Sequence, residues 1–183
     1  MIRITAGIYK NKKLNVPKVS RPLTDRIRIS MFELIRDFIP GATILDLYAG
    51  SGVTGYEALS RGGKTCLFID NSEESIEIIK ENKYVLDLDN TSVNIIKSSV
   101  ERFLQNNELH FDIIFLDPPF DEIFKLNITK LVSFLNVDGV VVARLPKDFT
   151  KKQKHKLSIS NEVEEVYKKS YGQSEVVFYK RKV

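Results

Sequence analysis

A carboxylate, two prolines and an aromatic ring stand in a row at Asp117-Pro118-Pro119-Phe120. They follow Phe111-Asp112-Ile113-Ile114-Phe115-Leu116, which reads as a buried strand, so the tetrapeptide falls at a strand's carboxyl end. In an open α/β sheet, ligands bind at that end. Each proline fixes a φ angle and removes a backbone donor, and the residue before each is driven into extended geometry. The product is a stiff bracket with a hydrogen-bond acceptor at one end and a flat ring at the other. A planar base with an exocyclic amine needs that pair, something to accept its N–H and a face to stack on. The bracket carries chemistry only if a second site holds a reagent. Alone, it is a rigid loop after a strand.

The segment Asp46-Leu47-Tyr48-Ala49-Gly50-Ser51-Gly52-Val53-Thr54-Gly55 offers such a site. Its glycines let the backbone turn sharply and approach a ligand, and the following helix presents free N–H groups. Gly50-x-Gly52-x-x-Gly55 matches a dinucleotide fingerprint, with Asp70 at the end of the next strand where a ribose-binding acid belongs. A strand-to-helix turn without a ligand is the plainer alternative. Two cofactors fit the pattern, a nicotinamide dinucleotide and S-adenosylmethionine, and both bring a ribose to Asp70. A pyrophosphate prefers a bare helix N-terminus, and Asp46 would repel it. The ammonium and sulfonium of S-adenosylmethionine favour a nearby acid. His110 and His155, the only histidines, read as loop residues, which leaves no partner for hydride transfer. S-adenosylmethionine is the better match.

These residues need a sheet to hold them. Apolar runs predict strands at Thr43–Leu47, Thr65–Ile69, Ser92–Lys97, Phe111–Leu116 and Val137–Leu145, with helices near 53–61, 72–86, 99–107 and 121–134. Asn71-Ser72 caps the second of these helices, whose apolar positions Ile76, Ile79, Tyr84 and Leu86 are loosely periodic. Val163–Ser170 and Glu175–Lys180 read as a hairpin through Tyr171-Gly172-Gln173. Alternating strands and helices predict a mostly parallel sheet covered on both faces, to which the hairpin adds one antiparallel strand. Ahead of it, 2–5 and 13–16 form a small hairpin. A helix capped by Thr24 or Asp25 follows, with the stripe Ile27, Met31, Phe32, Leu34, Ile35 and Phe38, and Pro40-Gly41 ends it. One domain spans 1–183, with 1–40 as a basic hairpin-helix extension.

The chain has 183 residues and a net charge of +4, but the charge is uneven. Arg3, Lys10, Lys12, Lys13, Lys18, Arg21, Arg26 and Arg28 face one acid, Asp25, within the first 30 residues. Interleaved with Tyr9 and turn residues, these cations suit a polyanion. Lys147, Lys151, Lys152, Lys154 and Lys156 read instead as a solvated surface. Cys66, the only cysteine, lies in an apolar run and reads as core, so neither a disulfide nor a thiolate metal site is expected. With no spanning apolar stretch or signal peptide, the expectation is a cytoplasmic monomer without metal or membrane contact.

Asp46-Leu47-Tyr48-Ala49-Gly50-Ser51-Gly52, Asp70 and Asp117-Pro118-Pro119-Phe120 together resemble the bacterial 16S ribosomal RNA guanine-N2 methyltransferases. These are relatives of the amino methyltransferases with an (Asn/Asp)-Pro-Pro-(Tyr/Phe) motif. Arg21-Pro22-Leu23-Thr24-Asp25-Arg26-Ile27-Arg28 is similar to that family's N-terminal signature, as are Arg3-Ile4-Thr5-Ala6-Gly7, Lys12-Lys13-Leu14 and the C-terminal Gly172-Gln173. The likeness spans nearly the whole chain. It implies a Rossmann-like class I methyltransferase fold, S-adenosylmethionine as cofactor, and methyl transfer to the N2 amine of a guanine. The implied partner is 16S rRNA or the small ribosomal subunit.

Carried over by position, the resemblance places Asp117, Pro118, Pro119 and Phe120 at the transfer step. It places Thr24, Asp46, Tyr48, Gly50, Ser51, Gly52, Asp70, Asn71, Ser99 and Val100 around the cofactor. Arg3, Tyr9, Lys10, Lys12, Lys13, Arg21 and Arg26 would meet RNA. The chain departs from the family pattern at Leu23 and Ile29, where a threonine and a glutamate are expected, and at Ser99, where an acid or asparagine often meets adenine. Other classes remain open: methylation of adenine in nucleic acid or of glutamine in a protein, or an RNA-binding module without catalysis.

Overall fold

The computed structural model describes residues 1–18, 24–119, 122–123, 127–147, 149 and 160–182. The chain opens with a short antiparallel pair, β1 (Ile2–Arg3) and β2 (Lys13–Leu14). The pair is shorter than the sequence predicts because the backbone N–H groups of Thr5 and Ala6 turn away to the Glu57 carboxylate. The first helix, α1 (Asp25–Leu34), begins where Thr24 caps it by accepting from the Ile27 N–H. Met31, Phe32 and Ile35 are buried, whereas Leu34 is 39% exposed. At roughly 100° per residue, Leu34 falls on the flank of the face that the other three define.

The main sheet is built from β3 (Thr43–Leu47), β4 (Thr65–Asp70), β5 (Val93–Lys97), β6 (Phe111–Leu116), β7 (Leu135–Pro146), β8 (Val163–Tyr171) and β9 (Ser174–Arg181). Between them run α2 (Val53–Ser60), α3 (Glu73–Val85), α4 (Val100–Asn106) and α5 (Ile128–Ser133). The strand order is β5-β4-β3-β6-β7-β9-β8. Five strands are parallel, and β9 runs antiparallel to both of its neighbours, as the terminal hairpin requires. Strand periodicity of two sorts the side chains into two cores. Ile44, Phe68, Ile113, Phe115, Val142 and Phe178 share one core with α1 and the N-terminal segment. Leu45, Leu67, Ile114, Val141, Val177 and Tyr179 share the other with α4 and α5. Cys66 is buried, as its apolar run implies.

Three local differences have physical causes. The described part of the helix expected at 121–134 starts only at Ile128, because the Asn127 side chain accepts from the Lys130 N–H and sets the cap there. β7 begins at Leu135 rather than Val137, and a register shift accommodates Asp138 at φ 65°. On α3, Tyr84 is 88% exposed, because five residues past Ile79 it has turned about 140° away from the buried face. Asn82 occupies that face instead. It is fully buried and satisfied by Asn15 N–H, Asn15 C=O and Ser51 C=O.

Candidate active site

The chain enters the sheet at β3, builds outward through β4 and β5, and returns to β6 on the other side of β3. A crevice opens where the order reverses, at the carboxyl ends of the strands. Here it is a cleft of about 640 Å³. Tyr48 and Gly50 reach it from the loop after β3, Asp70 and Asn71 from the end of β4, and Asp117, Pro118 and Pro119 from the end of β6. Residues about 70 positions apart in the chain, predicted separately, thus share one cavity.

The loop is shaped by left-handed backbone at Tyr48, Gly50 and Gly52, with φ 57°, 57° and 71°. Gly52 caps α2, and a Cβ there would lie 2.9 Å from the Tyr56 ring. Gly55 serves packing. A Cβ on it would stand 2.4 Å from Phe68, so only glycine lets α2 lie this close to β4. Asp70 fixes the loop from below: its Oδ2 accepts from the Gly50 N–H at 2.8 Å and its Oδ1 from the Ser72 N–H at 2.9 Å. A carboxylate has lone pairs left after two such bonds, so Asp70 can still receive a ribose hydroxyl. Asp46 lies deeper, 3% exposed, with Oδ2 accepting from the Gly55 N–H at 3.0 Å. Burial pushes its carboxyl well above the usual range; the Gly55 bond opposes this, and the nearby Asp117 and Asp70 add to it. From there Asp46 holds the first turn of α2 behind the loop. Ser51 is buried with Asn82 on its carbonyl.

Of the residues expected around the cofactor, Asp46, Ser51, Gly52, Ser99, Val100 and Thr24 are not among those that line the cleft. Ser99 caps α4 through the Arg102 N–H, Val100 is buried, and Thr24 caps α1. Phe120 and Arg21 lie outside the described residues, as do Lys151, Lys152, Lys154, Lys156 and His155.

Asp117 faces a residue that no motif in the chain marks. Arg144 of β7 donates from Nε to Asp117 Oδ1 at 2.5 Å, with side chains 21% and 27% exposed. Burial pushes the Asp117 carboxyl above its ordinary value, and the guanidinium pulls it part of the way back. Oδ2 has no hydrogen-bond partner among the described residues. An acceptor aimed into a cleft, charged and only half satisfied, can take an amine N–H.

The predicted RNA-binding side chains lie on the N-terminal segment. Arg3, Lys10, Lys12, Lys13 and Arg26 are exposed, and Tyr9 is half-buried against the core. Arg28, one of the eight basic residues among the first 30, does not face solvent. It is fully buried, paired with Asp25 at 2.9 Å, and its Nε lies 3.5 Å from Glu57. Its charge belongs to an internal clamp, so the surface excess is smaller than the sequence count.

A glycine loop with a strand-end acid and an Asp-Pro-Pro bracket thus face one cleft, and comparison with known proteins says which family carries it. The family described as "Conserved hypothetical protein 95" matches residues 2–180. The chain belongs to that family. "Putative rRNA methyltransferase YlbH" of Bacillus subtilis (strain 168) is 31% identical over 99% of this chain and 100% of its own length. "Ribosomal RNA small subunit methyltransferase D" of Haemophilus influenzae is 36% identical, over 65% of this chain and 64% of that protein. Among solved structures, "Putative methyltransferase yhhF from Escherichia coli" superposes with a TM-score of 0.84 at 27% identity, covering 100% of this chain and 98% of that one. The sheet order and the small N-terminal pair are those of a class I methyltransferase. S-adenosylmethionine is the cofactor of such enzymes, and the open Gly50 loop with Asp70 beside it fits the nucleoside.

Proposed function

We propose that this protein methylates the exocyclic N2 amine of a guanine in 16S ribosomal RNA, using S-adenosylmethionine. One observation carries the reading: the glycine loop with Asp70 and the bracket with Asp117 open into the same cleft. The similarity to rRNA methyltransferases supports an rRNA acceptor, and the exposed cations of the N-terminal segment suit one.

S-adenosylmethionine supplies a methyl group already activated as a sulfonium, so the protein's task is alignment and exclusion of water. Asp70 and the Gly50 backbone hold the nucleoside end. Asp117 accepts an N–H of the target amine through Oδ2, fixes the plane of the base and stabilises the positive charge that develops on nitrogen. Because burial raises its carboxyl, Asp117 can also take the proton that the amine sheds. Pro118 and Pro119 keep that carboxylate in place. Phe120 provides the stacking face for a base drawn out of its helix, a contact of about 1–3 kcal/mol. The basic residues position the RNA through its phosphates.

The test is tritium transfer from labelled S-adenosylmethionine to small ribosomal subunits from cells lacking the enzyme, followed by mapping of the labelled nucleotide. Label on the N2 of one guanine in 16S rRNA is expected. Label on an adenine, on a protein, or on nothing overturns the proposal.

A further inference from the structure

We propose that Arg144 reads the acceptor base, and that the Arg144–Asp117 pair selects guanine over adenine. The inference rests on the amine methylation proposed above and names the groups that choose the base.

Arg144 lines the cleft beside Asp117, Pro118 and Pro119. Its position follows from the sheet: β7 pairs with β6 so that Ala143 faces Leu116, which brings the next residue of each strand together. Its Nε–H is used on Asp117 Oδ1. The donors on its two terminal nitrogens have no hydrogen-bond partner among the described residues. A guanidinium stays charged and never accepts, so this wall of the cleft presents fixed donors.

With Nε and Oδ1 joined, the chemistry of the pair leaves three groups for a base. Asp117 Oδ2 accepts, the second lone pair of Oδ1 accepts, and a terminal N–H of Arg144 donates. The Watson–Crick edge of guanine is the complement, with N2–H and N1–H as donors and O6 as acceptor. Seated this way, guanine puts its amine on Oδ2 and leaves no buried donor unpaired. Adenine presents N6–H, then N1 as an acceptor, then a C–H. If its amine sits on Oδ2, its N1 faces the lone pair of Oδ1 and Arg144 meets no acceptor. If it slides one place to bring N1 to Arg144, its amine leaves Oδ2 for the oxygen that Arg144 already occupies. Either arrangement leaves a polar group unsatisfied or the amine displaced from the transfer position.

The experiment compares small subunits carrying guanine or 2-aminopurine at the labelled position. 2-Aminopurine keeps the 2-amine but has neither N1–H nor O6. For the wild-type enzyme, kcat/KM is expected to fall by about 30-fold or more on 2-aminopurine. Arg144→Ala should slow transfer to guanine and narrow that gap by about tenfold or more, with S-adenosylmethionine binding retained as the check on folding. If Arg144→Ala is too unstable to bind S-adenosylmethionine, Arg144→Lys gives the same test, since it keeps the charge and loses the planar fork. An unchanged preference, with both substrates slowed equally, overturns the proposal and leaves Arg144 only the orientation of Asp117. Failure of the wild type to methylate guanine-bearing subunits strikes the amine-methylation reading instead.

Discussion

Glu57 on α2 and Asp117 after β6 are both carboxylates beside arginines, and their surroundings differ sharply. Glu57 is fully buried and accepts four hydrogen bonds, from Thr5 N–H, Thr5 O–H, Ala6 N–H and Arg61 Nε. Arg28, itself fully buried, closes the cluster at 3.5 Å. Asp117 is partly open to the cleft and bonds Arg144 alone among the described residues. A carboxylate whose lone pairs are filled by the protein holds segments together. One left half filled at a cavity wall is available to a ligand. Glu57 fixes the N-terminal segment to the helix that follows the glycine loop, and Asp117, on the function proposed above, meets the acceptor.

The contrast predicts opposite phenotypes. Asp117→Ala should lower methyl transfer by about a thousandfold or more, since on the proposed mechanism it removes the carboxylate that accepts the amine N–H. Its unfolding free energy, by denaturant titration, should change by no more than about 1 kcal/mol, because the lost ion pair is partly solvated. Equal losses of transfer and stability would erase the distinction. Glu57→Ala should cost about 3–5 kcal/mol of stability, because it removes the buried carboxylate that faces Arg28 and Arg61 and leaves the Thr5 and Ala6 N–H groups without their acceptor. Whatever fraction remains folded should keep its transfer rate within a few-fold.

A third carboxylate refines the comparison. The Asp46 carboxyl is raised by burial, so the folded state holds its proton over a range where the unfolded chain has lost it. The stability it contributes is therefore fully present below the ordinary carboxylate range and falls as pH rises towards the raised folded value. Asp46→Asn keeps an acceptor for the Gly55 N–H. Its unfolding free energy should match or exceed the wild type at neutral pH and should lack that downward slope. A slope that survives the substitution assigns it to another group. The smallest effect belongs to the surface. Replacing Lys10, Lys12 and Lys13 by glutamine should reduce the slope of log affinity for RNA against log salt by about 2–3, without altering S-adenosylmethionine binding.

The sequence made the cleft legible where its chemistry is local. The glycine loop, Asp70 and the Asp-Pro-Pro bracket each sit at the end of an apolar run, and apolar runs predict strands well in a sheet buried on both faces. Arg144 was hidden because its role depends on which strand lies beside β6 and in what register. In the chain it only interrupts Val140–Leu145. Glu57 gave no sign either, since its partners Thr5 and Ala6 stand about 50 residues away. Two buried polar residues do carry a signal in the chain. Arg28 stands in phase with Met31, Phe32 and Ile35, and Asn82 with Ile79 and Leu86. A polar residue on the apolar phase of a helix must find partners inside the fold, and both do.

On the proposed function the two ends of one cleft divide the work, the Gly50–Asp70 end holding the donor and Asp117 acting on the acceptor. This division is tested most directly by titrating S-adenosylmethionine calorimetrically into the wild type, Asp70→Ala and Asp117→Ala. One site per chain is expected, weakened at least about tenfold by Asp70→Ala and left within a few-fold by Asp117→Ala. Absence of binding to the wild type, or a loss at Asp117 as large as that at Asp70, would contradict it.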